Sequence, residues 1–295
     1  ATGGIQDRWA SYFGGDSFEE GFSITSDDLN NIYMVGKTES TTSGNMPCNP
    51  STNGGYPLCN PGGNEYFQST YGGSNDGFIA KFNNTNELVW STYFGGNLYE
   101  GIFDVTTDSL NNVIVVGKTA TSNPSCSSCT CAVPNQGEFP LCNSGSSYYQ
   151  NIYGGGGSDA FISKFNSNCE LLWSTYFGGD NEDAAYSATV TVLGSLYIVG
   201  STLSSSDTIS TCSPSTNNKF PLCNPGIPAY FQDTIAGGYD AFIAKFGTAN
   251  ELTYSTYYGG TGNEGPSSIS SGYNEVKTYE AISTTNGDIY IIGNI

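Results

Sequence analysis

The sequence predicts an all-β fold, a β-propeller built of four-stranded antiparallel blades of about 82 residues. Three observations predict it. An aromatic phrase recurs at a fixed period: Trp9-Ala-Ser-Tyr-Phe-Gly-Gly15, Trp90 to Gly96, Trp173 to Gly179 and Tyr254 to Gly260, in steps of 81, 83 and 81 residues. Six cysteines fall into three pairs of one spacing, Cys48 with Cys59, Cys131 with Cys142, and Cys212 with Cys223. No helical period appears anywhere, while glycine (39 of 295), tyrosine and β-branched residues are abundant.

Each period reads as four strands. The first is the aromatic phrase, for example 90–94, ended by Gly95-Gly96. The second lies near 103–107 and is followed by the turn Asp108-Ser-Leu-Asn-Asn112. The third is 113–119, with counterparts at 32–38, 196–202 and 289–293. A long polar insert holding the cysteine pair intervenes. The fourth is 160–165, matched by 77–82 and 241–246, where alternation of Phe161, Ser163 and Phe165 against Ile162 and Lys164 suits a strand with two packed faces. Asn286-Gly287, between strands two and three of the last unit, is a hairpin signal. A lone meander cannot bury both faces, whereas blades stacked around an axis can. A β-helix is the rival, but its repeats are far shorter.

In this phasing the repeats run approximately 9–89, 90–172, 173–253 and 254–295, the last incomplete, within one partial propeller over 1–295. Three complete blades and three strands of another suggest a fragment of a larger propeller. The alternative is a four-bladed disc lacking one strand.

The phrases Trp-Ser-Thr-Tyr-Phe-Gly-Gly, Asn112-Val-Ile-Val-Val-Gly117 and Asp240-Ala-Phe-Ile-Ala-Lys-Phe246 resemble the SBBP family, the "seven-bladed β-propeller" repeat, over nearly the whole chain. The insert phrase Phe220-Pro-Leu-Cys-Asn-Pro-Gly226, followed by Tyr230-Phe-Gln232, is similar to that of large surface proteins exported by the type IX secretion system. The resemblance implies a role in surface structure, adhesion or filament building.

The formal net charge is −19, with eight Lys plus Arg. That field repels phosphate backbones and anionic membrane surfaces. No apolar run suits membrane insertion, and no charged-then-apolar leader opens the chain, which reads as mature material or a fragment. Regularly paired cysteines imply an oxidising compartment, so an extracellular or cell-surface location is expected. Closing each loop of about 12 residues stabilises by roughly 3 kcal/mol on the chain-entropy model. Cys126 and Cys129 form an extra Cys-Ser-Ser-Cys, read as a local disulfide, with a metal site shared with Cys131 and Cys142 as the rival. Cys169 is left unpaired.

Strand parity places two acids per blade at one end, beside the inserts: Glu19, Glu100, Asp183 and Glu264 after the Gly-Gly pairs, and Asp76, Asp159 and Asp240 before the last strand. They read either as turn-capping residues or as Ca²⁺ ligands, since hard cations want clustered carboxylates. No other cofactor is implied. The repeated lysines Lys81, Lys164 and Lys245, and Lys37 with Lys118, are expected to pair with these acids.

With no histidine, no Ser/His/Asp or Cys/His set can form, and an active site is one asymmetric constellation rather than a repeated one. The reading is therefore a non-enzymatic scaffold presenting stapled loops. The alternatives are a carbohydrate-binding or carbohydrate-cleaving propeller and a calcium-dependent adhesin. The partners expected are a glycan or surface ligand, the rest of a larger propeller, or a second chain at the open blade edge. Asn83 fits an N-glycosylation pattern, and Ser109, Thr208 and Thr234 fit an Asp-Ser/Thr-apolar O-glycosylation pattern of the bacteria to which the resemblance points.

Overall fold

The computed structural model describes residues 9–42, 48, 54–123, 131–145, 147–206, 212–214, 218–226, 229–263, 280–283 and 289–292. The chain is all-β. Its strands are β1 (Glu19–Ser26), β2 (Ile32–Thr38), β3 (Asp76–Phe82), β4 (Leu88–Phe94), β5 (Glu100–Thr107), β6 (Val113–Thr119) and β7 (Asp159–Phe165). They continue with β8 (Leu171–Phe177), β9 (Asp183–Val190), β10 (Leu196–Thr202), β11 (Asp240–Phe246), β12 (Leu252–Tyr258), β13 (Glu280–Ser283) and β14 (Ile289–Ile292). These make three four-stranded antiparallel meanders, β1 to β4, β5 to β8 and β9 to β12, and the pair β13–β14.

The sheets are offset by one strand from the sequence phasing. The Trp phrase is not strand one of its unit but the last strand of the sheet before it: β4 pairs with β3, with Phe78 opposite Tyr93 and Lys81 opposite Trp90. Gly95-Gly96 therefore links two sheets rather than turning a hairpin. The acids also begin strands rather than close loops. Asp76 opens β3, and Asp159 and Asp240 open its counterparts. The Asn286-Gly287 turn and position 293 lie outside the described residues.

The sheets stack face to face. Tyr33, Val35, Ile79, Trp90 and Phe94 of the first pack on Val113, Val115, Phe161, Phe165 and Tyr176 of the second. The opposite face of the second, with Ile114, Val116, Ile162, Trp173 and Phe177, meets Leu196, Ile198, Phe242, Phe246 and Tyr257 of the third. Covering on both faces explains why β6 is an unbroken apolar run, Val113 to Val116, with no polar alternation. Among the described residues β1 has no such cover on its second face. Its Ile24 is 68% exposed, whereas the aligned Val105 and Ala188 are 4% and 5% exposed.

The first strands of successive sheets, β1, β5, β9 and β13, pack in sequence on one another. Each of the first three carries a bulge, and the extra residue is aromatic: Phe22, Phe103 and Tyr186. These rings pack in a row, with centroids 5.3 Å and 5.4 Å apart. Beside them Asp104 joins three sheets. It accepts hydrogen bonds from Ser23 Oγ at 2.6 Å, Ser187 Oγ at 2.8 Å and Ala188 N at 2.8 Å.

Candidate functional site

The insert-bearing end of the sheets gathers the repeated acids, the Gly-Gly links and the disulfides. β2 runs toward that end and β3 away from it, and the link from β4 to β5 crosses there. Each insert is anchored by its shared phrase. Tyr56, Phe139 and Phe220 are buried against Phe78, Phe161 and Phe242, with ring centroids 5.7 Å, 5.0 Å and 5.1 Å apart. Three residues on, Cys59 exchanges backbone hydrogen bonds with Ser91 of β4, N to O in both directions at 3.0 Å. Cys142 and Cys223 do the same with Ser174 and Ser255. The insert thus covers the outer edge of each fourth strand, an edge otherwise open to another chain.

The disulfides form as the spacing predicts. Cys48–Cys59, Cys131–Cys142 and Cys212–Cys223 have Cα separations of 4.5, 4.5 and 4.3 Å. Cys126 and Cys129 lie outside the described residues. Cys169 is a buried free thiol, and burial pushes its pKa up to about 12. It sits in the left-handed region (φ 64°), where the sister turns have Asn86 and Asn250. Its carbonyl accepts from Tyr66 N at 2.8 Å, tying a turn of the second sheet to the first insert. A thiol so buried and so protonated is expected to stay unlabelled by a thiol reagent in the native protein, and to react once the chain is unfolded. Fast native labelling would contradict this placement.

The acids do share one end, but they turn inward. Asp76, Glu100, Asp159, Asp183 and Asp240 are all fully buried. They form pairs across sheet boundaries. A side-chain carbon on Gly95 would lie 2.7 Å from Glu100 Oε2 and 3.3 Å from Asp76 Oδ1. One on Gly178 would lie 2.7 Å from Asp183 Oδ2 and 3.2 Å from Asp159 Oδ1. Gly95 and Gly178, the first glycines of their Gly-Gly pairs, are therefore required by space: two carboxylates close over each.

Backbone amides hold these carboxylates. Gly96 N donates to Glu100 Oε2 at 2.7 Å, and Thr119 Oγ1 to Oε1 at 2.7 Å. Gly15 N and Thr38 Oγ1 hold Glu19 in the same way. Gly179 N and Ser204 Oγ donate to Asp183 Oδ2 at 2.7 and 2.8 Å. Gly72 N donates to Asp76 Oδ2 at 2.9 Å and Gly154 N to Asp159 Oδ2 at 2.7 Å, while Asp240 Oδ2 accepts from Ala236 N and Gln232 Nε2. Glu264 lies outside the described residues.

Burial dominates the electrostatics. It pushes the Asp76 carboxyl up to about 8, with Glu100 adding to the rise against the Gly72 and Gly73 amides. Burial also raises Glu100. Asp159 is raised by burial and then by its neighbour Asp183, which burial raises in turn. Two carboxylates in one dry site favour sharing a proton over both ionising. Asp159 Oδ1 and Asp183 Oδ1 have no hydrogen-bond partner among the described residues.

A Ca²⁺ ion takes six to eight oxygens. No group of three or more metal-ligating side chains occurs among the described residues, and one oxygen each of Glu100, Asp159 and Asp183 accepts a backbone amide hydrogen.

Sequence reasoning missed the glutamines that knit this end. Gln68 receives Tyr66 Oη on Oε1 at 3.0 Å and donates from Nε2 to Thr70 O and Gly95 O, each at 3.1 Å. Gln150 repeats the pattern with Tyr148, Ile152 and Gly178. Their signal is the recurrence of Tyr66-Phe-Gln68, Tyr148-Tyr-Gln150 and Tyr230-Phe-Gln232.

Among the described residues, the repeated lysines do not pair with the repeated acids. Lys37 meets Glu20 at 3.3 Å, Lys118 meets Glu182 at 3.3 Å, and Lys164 meets Asp108 at 3.0 Å. Lys81 donates to Ser167 O and lies 5.3 Å from the Tyr33 ring, and Lys245 lies 5.3 Å from the Tyr197 ring. Burying a carboxylate with a long ammonium stem would need room that the Gly-Gly turns do not leave.

Of the modification patterns, Ser109 and Thr234 are exposed. Asn83 spends its side chain in its own turn, accepting from Thr85 N and Glu87 N and donating to Glu87 Oε2 at 2.7 Å. Thr208 lies outside the described residues. A polar cleft of about 110 Å³ separates Phe67 to Thr70 of the first insert from Val133 to Glu138 of the second. It is smaller than the roughly 300 Å³ at which small-molecule sites begin. No helix among the described residues is long and apolar enough to cross a membrane. Compared with known proteins, the chain matches no family model and no curated protein.

Proposed function

We propose that this chain is part of a β-propeller of the SBBP type and serves as a non-enzymatic extracellular scaffold. The first strands would line the axis, and the disulfide-stapled inserts would project from one end. The observation that carries this reading is the inward placement of the repeated acids. Asp76, Glu100, Asp159 and Asp183 are fully buried and each accepts a backbone amide from a glycine turn, which favours a role in holding those turns over contact with a substrate. The successive packing of β1, β5, β9 and β13 supports a radial order of blades. Three disulfides suit an oxidising, extracellular setting. Structure and adhesion at a cell surface are the duties the repeat resemblance implies, and the parts of the inserts that differ between units are where a glycan or surface ligand would bind.

Calorimetric titration with CaCl₂, paired with a polysaccharide-hydrolysis screen, tests the scaffold reading. The expected result is no calcium heat, no chelator-induced change in melting temperature, and no hydrolysis. Hydrolysis abolished by Asp159→Asn but retained in Asp76→Asn would overturn it in favour of a glycosidase, and saturable calcium binding would favour the calcium-dependent adhesin.

A further inference from the structure

The cleft between the first two inserts has two fixed walls. Phe67 to Thr70 form one and Val133 to Glu138 the other, with Gly72 and Gly95 completing it. The first wall is bonded to β4. Gln68 N donates to Thr92 Oγ1 at 2.8 Å, and Tyr93 N donates to Gln68 O at 3.3 Å. The second wall is closed on itself and seated on the link between the sheets. Glu138 N donates to Asn135 O at 3.1 Å, and the Asn123 side chain bonds both backbone groups of Phe139, at 2.8 and 2.7 Å. A side-chain carbon on Gly137 would lie 3.3 Å from Asn97 Cβ. The cleft is thus preformed.

Its size and charge specify what enters. At about 110 Å³ it is smaller than the roughly 150 Å³ cavity that holds a benzene ring, so it takes about five heavy atoms. Phe67, Val133 and Pro134 offer an apolar wall to an alkyl stem. No basic side chain lines the cleft, and Glu138 is its one charged lining group. Glu138 Oε2 accepts from Asn135 Nδ2 at 3.1 Å, while Oε1 has no hydrogen-bond partner among the described residues. The sister boundary shows which charge belongs there. Glu138 and Asn97 align with Lys219 and Asp180. Between the second and third sheets, Lys219 Nζ donates to Asp180 Oδ2 at 2.8 Å and to Ser205 Oγ at 2.7 Å, so that boundary carries its own ammonium. Between the first and second sheets an acid replaces the lysine.

We propose that this cleft binds a lysine side chain of a partner protein, with the alkyl stem between Phe67 and Val133 and the ammonium on Glu138. The cleft has room for one such stem. Its rim residues Thr70, Asn135 and Gln136 are exposed and carry hydroxyl and amide groups that can bond the partner's backbone. The inference rests on the reading of the inserts as the ligand-bearing part of the scaffold and names the chemistry of the partner.

The test titrates Nα-acetyl-lysine amide into the ¹⁵N-labelled chain, with acetyl-norleucine amide as the stem without an ammonium. The expected result is saturable amide shifts at millimolar concentrations, as one exposed charge pair supports, confined to residues 67–72, 95 and 133–138. The norleucine amide should bind several-fold more weakly. Glu138→Gln, which keeps an acceptor for Asn135, should weaken the lysine amide several-fold, and Glu138→Lys, which copies the sister boundary, should abolish its binding. No saturable shift, shifts elsewhere, equal binding of the two amides, or unchanged affinity in Glu138→Gln would overturn the proposal. Tighter binding of cadaverine than of the lysine amide would also overturn it, in favour of a free diamine. None of these results alters the calcium titration or the hydrolysis screen, so failure here and failure of the scaffold reading are told apart.

Discussion

Thermal melts are expected to show a protein more stable at about pH 5 than at about pH 8. Asp76, Glu100, Asp159 and Asp183 all have carboxyls raised by burial, Asp76 to about 8. In the unfolded chain such groups lose their protons near pH 4. Between that point and the raised folded value, the folded state holds protons that the unfolded state has released. Stability therefore falls as pH rises through this window, by up to about 1.4 kcal/mol per pH unit for each such group. The net charge of −19 adds self-repulsion in the same direction.

Asp27, Asp108 and Asp180 act with the opposite sign. Burial alone would raise them, but hydrogen bonds from Asn31 to Asp27, from Asn112 and Lys164 to Asp108, and from Lys219 to Asp180 outweigh it and lower them. Their contribution is present above the unfolded value and is lost only as pH falls below about 4. Maximum stability should thus lie near pH 4 to 5. Asp159→Asn keeps an oxygen acceptor for Gly154 N and removes one member of the Asp159–Asp183 pair. It is expected to flatten the slope and to raise the melting temperature at pH 8. An unchanged slope would mean that the pair is hydrated and titrates normally.

Trp173→Ala is expected to cost about 3–5 kcal/mol, whereas Trp9→Ala should cost less than about 1 kcal/mol. The two residues hold the same place in the repeat. Trp173 is fully buried between the second and third sheets, its ring against Phe246, and its Nε1 donates to Tyr148 O at 2.7 Å. Removing it leaves a cavity and an unpaired carbonyl. Trp9 covers Phe82 from one side only and is half exposed. Urea unfolding of the two variants checks the contrast. Equal costs would mean that the 9–13 segment is as deeply enclosed as β8.

The strands were legible because their residues pattern strongly. Val113 to Thr119, Ile32 to Thr38 and Leu196 to Thr202 form where the repeat alignment puts them. Pairing was less legible. A repeat has a period but no starting point, and the short Gly95-Gly96 link looks like a hairpin whether it joins strands of one sheet or of two. Only the ladder between β3 and β4 assigns the Trp phrase to the earlier sheet. The acids illustrate the same limit. Their common end follows from parity, but burial depends on the neighbouring sheet, which brings Glu100 over Asp76 and Asp183 over Asp159. Asp104 stands outside the repeat pattern, because it aligns with Ser23 and Ser187. That departure was the signal: one carboxylate between two hydroxyls can bond both.

The most direct test of this account is the ionisation of Asp159 and Asp183 in the folded protein, followed by carboxyl ¹³C NMR with and without calcium. Carboxylates buried between sheets as turn caps should keep a proton well above pH 4, and their shifts should ignore added CaCl₂. Titration of both groups near pH 4, or a calcium-dependent shift at either, would contradict it and make the insert-bearing end an ion-binding surface.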